Sequence, residues 1–469
     1  MVIITPQQMR EIEQIAEKEF GLKSKILIER AASAILGVLE EDYENPEALK
    51  IYFLVGPGNN GKDAQELSKM LGMTKKRTTL ESCDIIIDGL YGTGLNRDIT
   101  GAEAENIEKI NKSGKRVYSI DIPSGVNGLT GNVLGKAIKA FKTITFFGKK
   151  PGMMFGEGKD CAGIVSVHDL GIPMSEKIAA QISIKETSLN KKILQRDTNS
   201  HKGTFGRVLC IAGSNGMRGA AALCAMGAYA AGTGLVFVAT TERIWNSVSV
   251  VVPEAIGLIM DESDEGGISS KNTKELISAA KAVDAVIVGP GMMNSVDTCK
   301  IVKRLMREVK TPIILDADAL NSIEMRDISR EVIITPHLVE MEGLSEVPKE
   351  KILSDRIQFT SDFAKKNKCI TLLKGAGTIV SSPNGEISIN TTGNAGMAVA
   401  GSGDVLSGII AALLAQGLTS YEAACGGAFL HGMAGDLAAK EKGMLSLLSS
   451  DIVKCISKAC LILEAGTNE

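Results

Sequence analysis

A short glycine-rich stretch with one carboxylate holds the residues best suited to chemistry. Gly401-Ser402-Gly403-Asp404 lies where a loop of small residues passes into an apolar run with helical spacing. A helix start leaves its first backbone N–H groups unpartnered and carries the positive end of the helix dipole, so it favours an anion. Glycines let the backbone approach that anion, with Asp404 beside it as a base. The pattern predicts phosphoryl transfer to a hydroxyl, although an isolated match this short is more often a tight turn with Asp404 as a helix cap.

Five more polar loops precede this stretch, each directly after a predicted strand. They are residues 213–219, 289–291, 316–318, 335–337 and 374–378. Each has a simpler interpretation by itself, as a turn, a helix cap or, for His337, a hydrogen-bonded loop histidine. Because the carboxyl ends of parallel strands meet at one edge of a sheet, their repetition predicts a nucleotide site at that edge.

The first third of the chain repeats this arrangement of strands and polar loops. Predicted strands at 51–55, 84–88 and 117–120 lead into the loops GPGNNGKD, GLYGTGL and DIPSG. Their polar side chains are expected to converge at one sheet edge, as oxygen ligands or as acid–base groups. The residues concerned are Asn60, Asp88, Asp121 and Ser124. A single aspartate at a strand end is usually a turn former or a cap, so the prediction depends on the loops sharing one edge.

The loops require parallel sheets to position them, and the composition agrees. A chain of 469 residues favours two or three domains. Its 44% apolar content, 23% charged content and 50 glycines are typical of an α/β enzyme with many tight turns. Predicted strands and helices alternate, which indicates mostly parallel sheets covered on both faces. A polar, irregular stretch predicts a linker at 173–198, between domains at 1–172 and 199–469.

The composition also excludes several classes of function. The net charge is −3 and aromatic residues are only 4%, so neither nucleic acid nor a membrane is an expected partner. The nine cysteines are scattered without a CxxC pair, which favours a reducing cytoplasm over a zinc site or a disulfide framework. The uncharged stretch 219–241 is interrupted by glycines and predicts a buried helix, a turn and a buried strand rather than a membrane span.

The N-terminal motifs resemble those of the NAD(P)H-hydrate epimerase domain. The resemblance is carried by GPGNNGKD, DGLYGTGL, SIDIPSGVNG and FFGKKPGMMFGEGKDCAGIVSVHDLGIP. It implies a Rossmann-like three-layer α/β/α fold that binds hydrated NAD(P)H, with Asp121 as the acid–base group of epimerisation. It implies K⁺ ligands at Asn60, Asp88 and Ser124. It also implies that the substrate is held by Asp121 and by two segments: Asn59, Asn60, Gly61, Lys62 and Asp63, and Gly92, Thr93, Gly94, Leu95, Asn96, Arg97 and Asp98.

Two features depart from the epimerase pattern. A loop that usually reads NNGGDG has Lys62 and Ala64 in place of two glycines. Lys62 either pairs with a substrate phosphate or obstructs the close approach that glycine permits. The interval between Asp63 and Asp88 is also short and lacks a βα unit common in the family. A second interpretation therefore stands for this half, a nucleotide-binding protein with a decayed N-terminal site.

The C-terminal motifs are similar to those of the ADP-dependent NAD(P)H-hydrate dehydratase domain, in the ribokinase-like superfamily. In chain order they are HKGTFGRVLCIAGS, MRGAAALCAMGAYAAGTGLV, VGPGM, ILDADAL, ITPH, LLKGAGT, TGNAGMAVAGSGDVLSGIIAALLAQG and FLHGMAGD. The resemblance implies a ribokinase-like α/β/α domain with Asp404 as catalytic base. The implied nucleotide-binding residues are Lys374, Gly375, Ala376, Gly377, Thr378 and Gly403. The implied hydrate-binding residues are Gly219, Ala220, Gly291, His337 and Asp404.

The fused order matches the bifunctional NAD(P)H-hydrate repair enzymes of prokaryotes. It implies that the C-terminal domain dehydrates the (6S) hydrates NADHX and NADPHX at the expense of ADP or ATP. A divalent ion, Mg²⁺, is expected on the nucleotide phosphates, and the N-terminal domain would interconvert the R and S hydrates. In the implied mechanism a terminal phosphoryl group moves to the ring hydroxyl, phosphate leaves and the ring double bond returns. We expect a cytoplasmic homo-oligomer.

One alternative keeps the ribokinase-like fold and changes the substrate. A small-molecule kinase, acting on a vitamin precursor or a sugar, would release a stable phosphorylated product. The HKGTFG entrance and the fused GPGNNG domain distinguish this chain from a plain kinase, which needs neither.

Overall fold

The computed structural model describes residues 2–73, 78–328 and 331–465. Contacts divide the chain into two compact units that meet in sequence at Lys185 and Glu186. The boundary falls within 173–198, the stretch expected to be an irregular linker, which instead carries a helix, a strand and a 3₁₀ turn. Ile178 and Ile184 are buried there, and burial of such side chains is enough to order a short segment.

Helices and strands alternate through the first unit. In chain order they are β1 (Val2–Ile3), α1 (Pro6–Phe20), α2 (Ser24–Asp42), β2 (Ile51–Val55), α3 (Asn59–Met70), β3 (Ile85–Gly89), α4 (Gly101–Lys112), β4 (Arg116–Ile120), β5 (Lys142–Phe146), α5 (Gly156–Ala162), β6 (Ile164–His168), α6 (Glu176–Gln181) and β7 (Ile184–Glu186). Helix α3 begins at Asn59, so the second half of the predicted glycine-rich loop forms the first helical turn.

The five-stranded sheet of the first unit is parallel throughout. Its strands lie in the order β2–β3–β4–β5–β6, with Asp88 opposite Ser119, while β1 pairs antiparallel with β7. Successive side chains of a strand point to opposite faces. Strand β3 therefore buries Ile85 and Ile87 against α1, α2 and α3 and Ile86 against α4. This confirms the predicted three-layer α/β/α arrangement.

The second unit repeats the alternation on a larger scale. In chain order its elements are β8 (Arg207–Ile211), α7 (Arg218–Ala230), β9 (Leu235–Thr241), α8 (Glu242–Val251), β10 (Ile256–Met260), α9 (Thr273–Lys281), β11 (Ala285–Val288), α10 (Val296–Glu308), β12 (Ile313–Leu315), β13 (Ile333–Ile334), α11 (Leu338–Ser345), α12 (Lys349–Ser354), α13 (Arg356–Asn367), β14 (Ile370–Leu373), β15 (Ile379–Ser381), β16 (Ile387–Ile389), α14 (Ser402–Ala415), α15 (Ser420–Lys442) and α16 (Ser449–Ala465).

The sheet of the second unit has one point at which the strand order reverses. Its strands lie in the order β10–β9–β8–β11–β12–β13–β14–β15–β16. Pairing is parallel from β10 to β14, and β15 and β16 form the antiparallel hairpin predicted for 378–390. The chain starts at β8 and builds outward in both directions, so the order switches between β8 and β11. Ligands of such sheets bind in the crevice beyond the strand ends at the switch point.

The long uncharged stretch folds as predicted. Residues 219–241 form most of α7, a turn at Gly232 and strand β9. Among the described helices, none combines the length and apolarity that a bilayer span requires.

Five strands are absent from the sequence prediction: the short β1 and β7, which pair with each other, and three longer strands, β5, β6 and β10. Polar residues interrupt β5 and β6 (KTITF and IVSVH), and β10 lies at a sheet edge with Ile256 and Ile259 exposed. Pairing with a neighbouring strand, rather than local pattern, therefore defines these three.

Candidate active sites

The start of α14 has no side-chain cap within the described chain. Gly401 is the N-cap residue, with a left-handed φ of 85°. The backbone angle therefore requires glycine, and a Cβ at Gly401, 2.3 Å from Leu223 Cδ1, would also displace the end of that side chain. Asp404 lies in the first turn, beyond the cap, which makes the helix-cap interpretation wrong. The first N–H groups of α14 can therefore accept an anion.

A buried ion pair lies next to this helix start. Lys374 Nζ is 2.9 Å from Asp316 Oδ1 and 3.7 Å from Glu340 Oε2. Ser407 Oγ, on α14 itself, donates to Asp316 Oδ2 at 2.7 Å. A Cβ added at Gly403 would lie 3.5 Å from Lys374 Nζ. The ends of β12 and β14 thus bring a carboxylate and an ammonium group to the glycine-rich turn.

The same pair sets the charge state of Asp404. Burial and the negative charge of Asp316 raise the pKa of Asp404 to about 7, although Lys374 opposes the shift. Burial would also raise the pKa of Asp316, but the charge and hydrogen bond of Lys374 lower it below its usual value. The pKa of Lys374 is raised in turn, against burial, by Asp316 and Glu340. Asp404 therefore has a pKa matched to a general base at neutral pH.

Helix α15 fixes the loop that leads into α14. Asp436 accepts hydrogen bonds from the backbone N of Gly393 and from Asn394 Nδ2, both at 2.9 Å. His431 Nε2 lies 3.3 Å from Ser402 Oγ, and burial lowers the pKa of His431 to about 4. Sequence reasoning assigned neither residue a role, although both lie in the FLHGMAGD motif. The neutral ring and the carboxylate hold the glycine-rich turn in place.

Three predicted hydrate-binding residues lie together at the switch between β8 and β11. The backbone N of Gly213 donates to Pro290 O at 2.9 Å, which joins the two loops. Gly291 has a φ of 62°, and a Cβ there would lie 3.0 Å from Ala220 Cβ. Gly219 lies in the first turn of α7 and faces open space. These contacts bring Gly219, Ala220 and Gly291 to the same edge of the sheet.

The fourth predicted hydrate-binding residue, His337, is the N-cap of α11. His337 Nδ1 accepts from the backbone N of Glu340 at 3.1 Å, and Glu340 Oε2 accepts from the backbone N of His337 at 2.7 Å. His337 is therefore a hydrogen-bonded loop histidine, as the simpler interpretation predicts, and it caps α11. Because Nδ1 is an acceptor, the neutral ring carries its proton on Nε2. Nε2 lies 3.5 Å from Glu340 Oε1, and the side chain is 52% exposed, so the ring can also contact a ligand.

The predicted nucleotide loop turns sharply after β14. Gly375 and Gly377 have φ values of 144° and 64°, and Thr378 Oγ1 donates to the backbone O of Gly375 at 3.0 Å. Arg356 Nη1 donates to the backbone O of Ala376 at 2.9 Å and adds a positive charge to the loop. Sequence reasoning gave Arg356 no role, because it lies in α13, far from any motif.

The first unit contains a cavity of about 750 Å³ at the carboxyl edge of its sheet. Its lining comes from α1, α2, the start of α3 and the segments that follow β3, β4, β5 and β6. The predicted substrate-binding residues in this lining are Asn59, Asn60, Asp63, Gly92, Thr93, Gly94, Leu95, Asn96, Arg97 and Asp121. Gly61, Lys62 and Asp98 lie outside it. The volume suits a small organic ligand.

Asp121 is held in this cavity by a lysine that sequence reasoning left without a role. Lys150 Nζ lies 2.5 Å from Asp121 Oδ1, with 1% of the lysine side chain exposed. Thr145 Oγ1 donates to the same oxygen at 3.0 Å. Asp121 has a φ of 63°, a left-handed value that costs a non-glycine residue of order 1–3 kcal/mol. This backbone strain therefore lowers the stability of the fold, and it sets the direction in which the Asp121 carboxylate points. The signal in the sequence is the KKPG motif, which follows β5.

Two more carboxylates face the cavity, Asp63 from α3 and Glu13 from α1. Asp63 is 7% exposed, and burial together with the charges of Asp121 and Glu13 raises its pKa to about 8. Burial and the charge of Asp121 also raise the pKa of Glu13, against Lys150 and Arg10. Neither carboxylate receives a hydrogen bond from the described residues. Both are therefore free to accept a hydrogen bond from a ligand.

Asp88 is fully buried near the end of β3, and the hydrogen bonds that it accepts from described residues come from neutral donors. It accepts from Ser119 Oγ at 2.8 Å, from the backbone N of Ser124 at 2.9 Å and from Ser124 Oγ at 2.5 Å. Burial raises its pKa in spite of these bonds. Asn60 Nδ2 donates to the backbone O of Ile120 at 2.6 Å. The ends of β3 and β4 thus bring Asp88 and Ser124 into contact, with Asn60 bonded to the last residue of β4.

The unusual Lys62 leaves the loop geometry intact. Its side chain is exposed, and its Nζ lies 3.3 Å from Asn59 Oδ1. The close backbone approach depends on Gly61, where a Cβ would lie 1.9 Å from the backbone O of Gly56. Ala64 packs against Gly89. The structure therefore does not show Lys62 obstructing the close approach to this loop that glycine permits.

Comparison with known proteins covers both units. Residues 208–458 match the family described as NAD(P)H-hydrate dehydratase, and residues 65–152 match the family described as YjeF-related protein N-terminus. The bifunctional NAD(P)H-hydrate repair enzyme Nnr of Moorella thermoacetica is 32% identical, over 97% of this chain and 95% of its own. The protein of the same name from Escherichia coli K12 is 30% identical, over 96% of this chain and 92% of its own.

Solved structures that are similar to this chain align with somewhat more than half of its length. The ADP/ATP-dependent NAD(P)H-hydrate dehydratase of Bacillus subtilis, co-crystallised with ATP and Mg²⁺, gives a TM-score of 0.52 at 27% identity and covers 59% of this chain and 99% of its own. A ribokinase-like superfamily protein from Enterococcus faecalis V583 gives a TM-score of 0.52 at 28% identity, over 60% of this chain and 96% of its own. These likenesses confirm the predicted ribokinase-like fold.

Proposed function

The chain belongs to the family of bifunctional NAD(P)H-hydrate repair enzymes, and from that premise we propose how it divides the repair. It returns hydrated NADH and NADPH to the intact cofactors. Residues 199–469 dehydrate the (6S) hydrate at the expense of ADP or ATP. Residues 1–172 interconvert the R and S hydrates, and residues 173–198 connect the two parts. A stereospecific dehydratase then clears both epimers.

In the dehydratase site, Asp404 takes the proton of the ring hydroxyl as that oxygen attacks the terminal phosphorus of the nucleotide. Its pKa of about 7 suits this task. The N–H groups at the start of α14 stabilise the charge that develops on the transferring group. The bond from phosphorus to the rest of the nucleotide breaks. Phosphate then leaves the ring, a proton leaves the adjacent ring carbon, and the ring double bond returns.

In this proposal the nucleotide is held by Lys374, by the loop Gly375, Ala376, Gly377 and Thr378, and by Gly403. The support is the ammonium group of Lys374, kept charged by Asp316 and placed next to Gly403. Mg²⁺ on the phosphates would neutralise their charge, and a relative was co-crystallised with ATP and Mg²⁺. The hydrate lies over Gly219, Ala220 and Gly291, with His337 Nε2 as a hydrogen-bond donor.

In the epimerase site, Asp121 is the acid–base group at the hydrated carbon. The buried Lys150 Nζ lies 2.5 Å from Asp121 Oδ1 and holds this carboxylate in position. The cavity lined by Asn59, Asn60, Asp63 and the loop after β3 holds the hydrated dinucleotide. Lys62 contributes through its charge at the surface rather than inside the cavity.

A monovalent cation site is part of this proposal, with Asn60, Asp88 and Ser124 holding K⁺. Asp88 supports it, because a fully buried carboxylate that forms no ion pair among the described residues fits a cation. Carboxylate, amide and hydroxyl oxygens are suitable ligands for a hard cation. The ion would supply positive charge beside the bound dinucleotide.

Removal of K⁺ tests the cation site directly. We expect exchange into tetramethylammonium to lower the melting temperature of the first unit, because Asp88 would lose its counter-charge. Asp88→Asn should make the melting temperature independent of K⁺. Equal melting curves in the two salts for the unmodified protein would contradict the site.

The single observation that carries the repair function is the arrangement of Asp404, Asp316 and Lys374 at the uncapped start of α14. The test follows both epimers of hydrated NADH by HPLC, with ADP, with ATP and without nucleotide. We expect nucleotide-dependent return of NADH from both epimers. Consumption of only the (6S) epimer would support the dehydratase function and contradict the epimerase function. A stable phosphorylated product would support a kinase instead.

The setting of the protein forms a final part of the proposal. The nine cysteines are all free, which supports a reducing cytoplasm. Val250 and Val251 on α8 and Ile259 on β10 are exposed apolar residues, which supports a homo-oligomer with a contact at this edge. Light scattering coupled to size-exclusion chromatography would measure the assembly.

A further inference from the structure

Helix α1 contributes a carboxylate to the N-terminal cavity, although none of its residues belongs to a recognised motif. Ile12 and Ala16 face the core and are fully buried. Arg10 and Glu13 lie on another side of the helix and line the cavity. The helix is fixed at its start by a capping box between Thr5 and Gln8. Glu13 is therefore placed by a well-anchored element rather than by a mobile loop.

Glu13 has the surroundings of a group that meets a ligand. The charged groups around it are Asp121, Asp63, Lys150 and Arg10. Lys150 is occupied by Asp121, and no described residue donates a hydrogen bond to the Glu13 carboxylate. A half-buried carboxylate without a protein donor is costly unless a ligand or water supplies one. Asp63, 7% exposed and equally unpartnered, lines the same cavity.

Inversion at the hydrated carbon needs two proton transfers. That carbon carries a hydroxyl and is bonded to the ring nitrogen. If the hydroxyl accepts a proton, the C–O bond breaks, water leaves, and the nitrogen lone pair forms a C=N⁺ bond. Water then adds to the opposite face, the C=N⁺ electron pair returns to nitrogen, and the added water loses a proton. One water leaves, one enters, and one proton passes from an acid to a base.

We propose that Glu13 is the second acid–base group of the epimerase site, acting with Asp121 from a different element of the cavity wall. This rests on the proposed epimerase function. In one direction Glu13 protonates the departing hydroxyl and Asp121 takes the proton of the entering water; in the other direction the two exchange roles. The carboxylate of Asp121 comes from the end of β4 and that of Glu13 from α1, and in this proposal each serves one face of the ring.

The test measures interconversion of the purified R and S hydrates in the full chain, with Glu13→Gln, Glu13→Asp and Glu11→Gln. Glu11 lies on the same helix, accepts a hydrogen bond from Gln7 Nε2, and is not among the cavity-lining residues. We expect Glu13→Gln to lower kcat for epimerisation by about 100-fold or more, with KM changed less than about threefold. Glu13→Asp should recover part of the rate, and Glu11→Gln should match the unmodified protein.

Three further readouts separate catalysis from structure. Dehydration of pure (6S) hydrate, measured in the same preparations, should be unchanged, because that site lies in the second unit. The first unit of Glu13→Gln should also melt at the temperature of the unmodified protein, which shows that the unit carrying the substitution folds. In H₂¹⁸O, the unmodified protein should place ¹⁸O in the hydroxyl of the product epimer, and Glu13→Gln should lose this exchange.

Several results would overturn the proposal. They are an unchanged kcat in Glu13→Gln, a rise in KM alone, an equal loss in Glu11→Gln, or inversion by the unmodified protein without ¹⁸O uptake. Absence of epimerisation in the unmodified protein would instead remove the epimerase function itself, so the two failures are distinguishable.

Discussion

Two aspartates of the proposed dehydratase site hold different charge states because their neighbours differ. Asp316 is fully buried, yet Lys374 and Ser407 lower its pKa and keep it ionised. No described residue donates a hydrogen bond to Asp404, and burial together with the negative charge of Asp316 outweighs the opposing charge of Lys374. One carboxylate therefore holds Lys374 in place while the other exchanges a proton near neutral pH.

Asp316→Asn should shift the pH dependence of dehydration. We expect the acidic limb of kcat/KM, near pH 7 in the unmodified protein, to move to lower pH. The substitution removes a negative charge beside Asp404 but keeps the positive charge of Lys374. Both effects favour the ionised form of Asp404 and lower its pKa. Glu340→Gln, which changes the more distant neighbour of Lys374, is the matched control. A limb that stays in place in Asp316→Asn would contradict this account.

Asp63→Asn should stabilise the first unit more at high pH than at low pH. The pKa of Asp63 is about 8 in the folded protein, against 3.8 as its ordinary value, so the unfolded chain releases this proton first. Stability is therefore lost between about pH 4 and pH 8, and the asparagine variant escapes that loss. Thermal unfolding at pH 5 and pH 8 should show a gain of a few degrees that is larger at pH 8. An equal gain at both values would argue against the raised pKa.

At the scale of elements, the glycine at the start of α14 links packing to anion binding. The neighbouring helix α15 begins with a capping box between Thr419 and Glu422, as an ordinary surface helix does. Helix α14 begins instead at Gly401, pressed against Leu223 of α7, with no side-chain cap within the described residues. Because no described side chain caps them, its first N–H groups are available to an anion.

Gly401→Ala tests this element against a matched control. The alanine must adopt a φ of 85° and overlap Leu223 Cδ1, which should cost about 2–4 kcal/mol in stability and remove most of the dehydratase activity. Gly417, after the other end of α14, has a φ of 93° with nothing within 4 Å of its Cβ position. Gly417→Ala should cost only about 1–2 kcal/mol and keep the activity. Equal effects on activity would show that backbone strain alone is responsible.

At the scale of the whole molecule, one chain carries two sites with different chemistry. The first unit contains the cavity with Asp121 and Lys150, and the second carries the nucleotide-type edge with Asp404. The two activities depend on separate residues, since each site is built within its own unit.

Paired variants should separate the two activities. We expect Asp404→Asn to lower the rate of NADH return by about 10²–10⁴-fold while the R and S hydrates still interconvert. The Asp121→Asn variant should dehydrate the (6S) hydrate at the normal rate, while the R hydrate should accumulate. HPLC of the mixed epimers measures both. Normal clearance of the R form by Asp121→Asn would contradict its acid–base role.

Much of this protein was predictable from local sequence. The alternation of strands and helices, the α14 start at Gly401–Asp404 and the hairpin in 378–390 follow from glycine placement, apolar periodicity and turn residues. These features are determined within a few neighbouring residues. The positions of the polar loops at strand ends also required only the general rule that parallel strands share an edge.

The tertiary structure alone decided which distant groups meet. Lys150, Glu13 and Arg356 had no predicted roles, because Glu13 and Arg356 lie in ordinary helical patterns and the significance of Lys150 depends on its distance to Asp121. The pKa values of Asp404 and Asp63 likewise arise from burial and from charges far away in the chain. Local sequence fixes which residues can form an element. Burial and long-range electrostatics depend on how the elements pack, and they determine which of those residues can do chemistry.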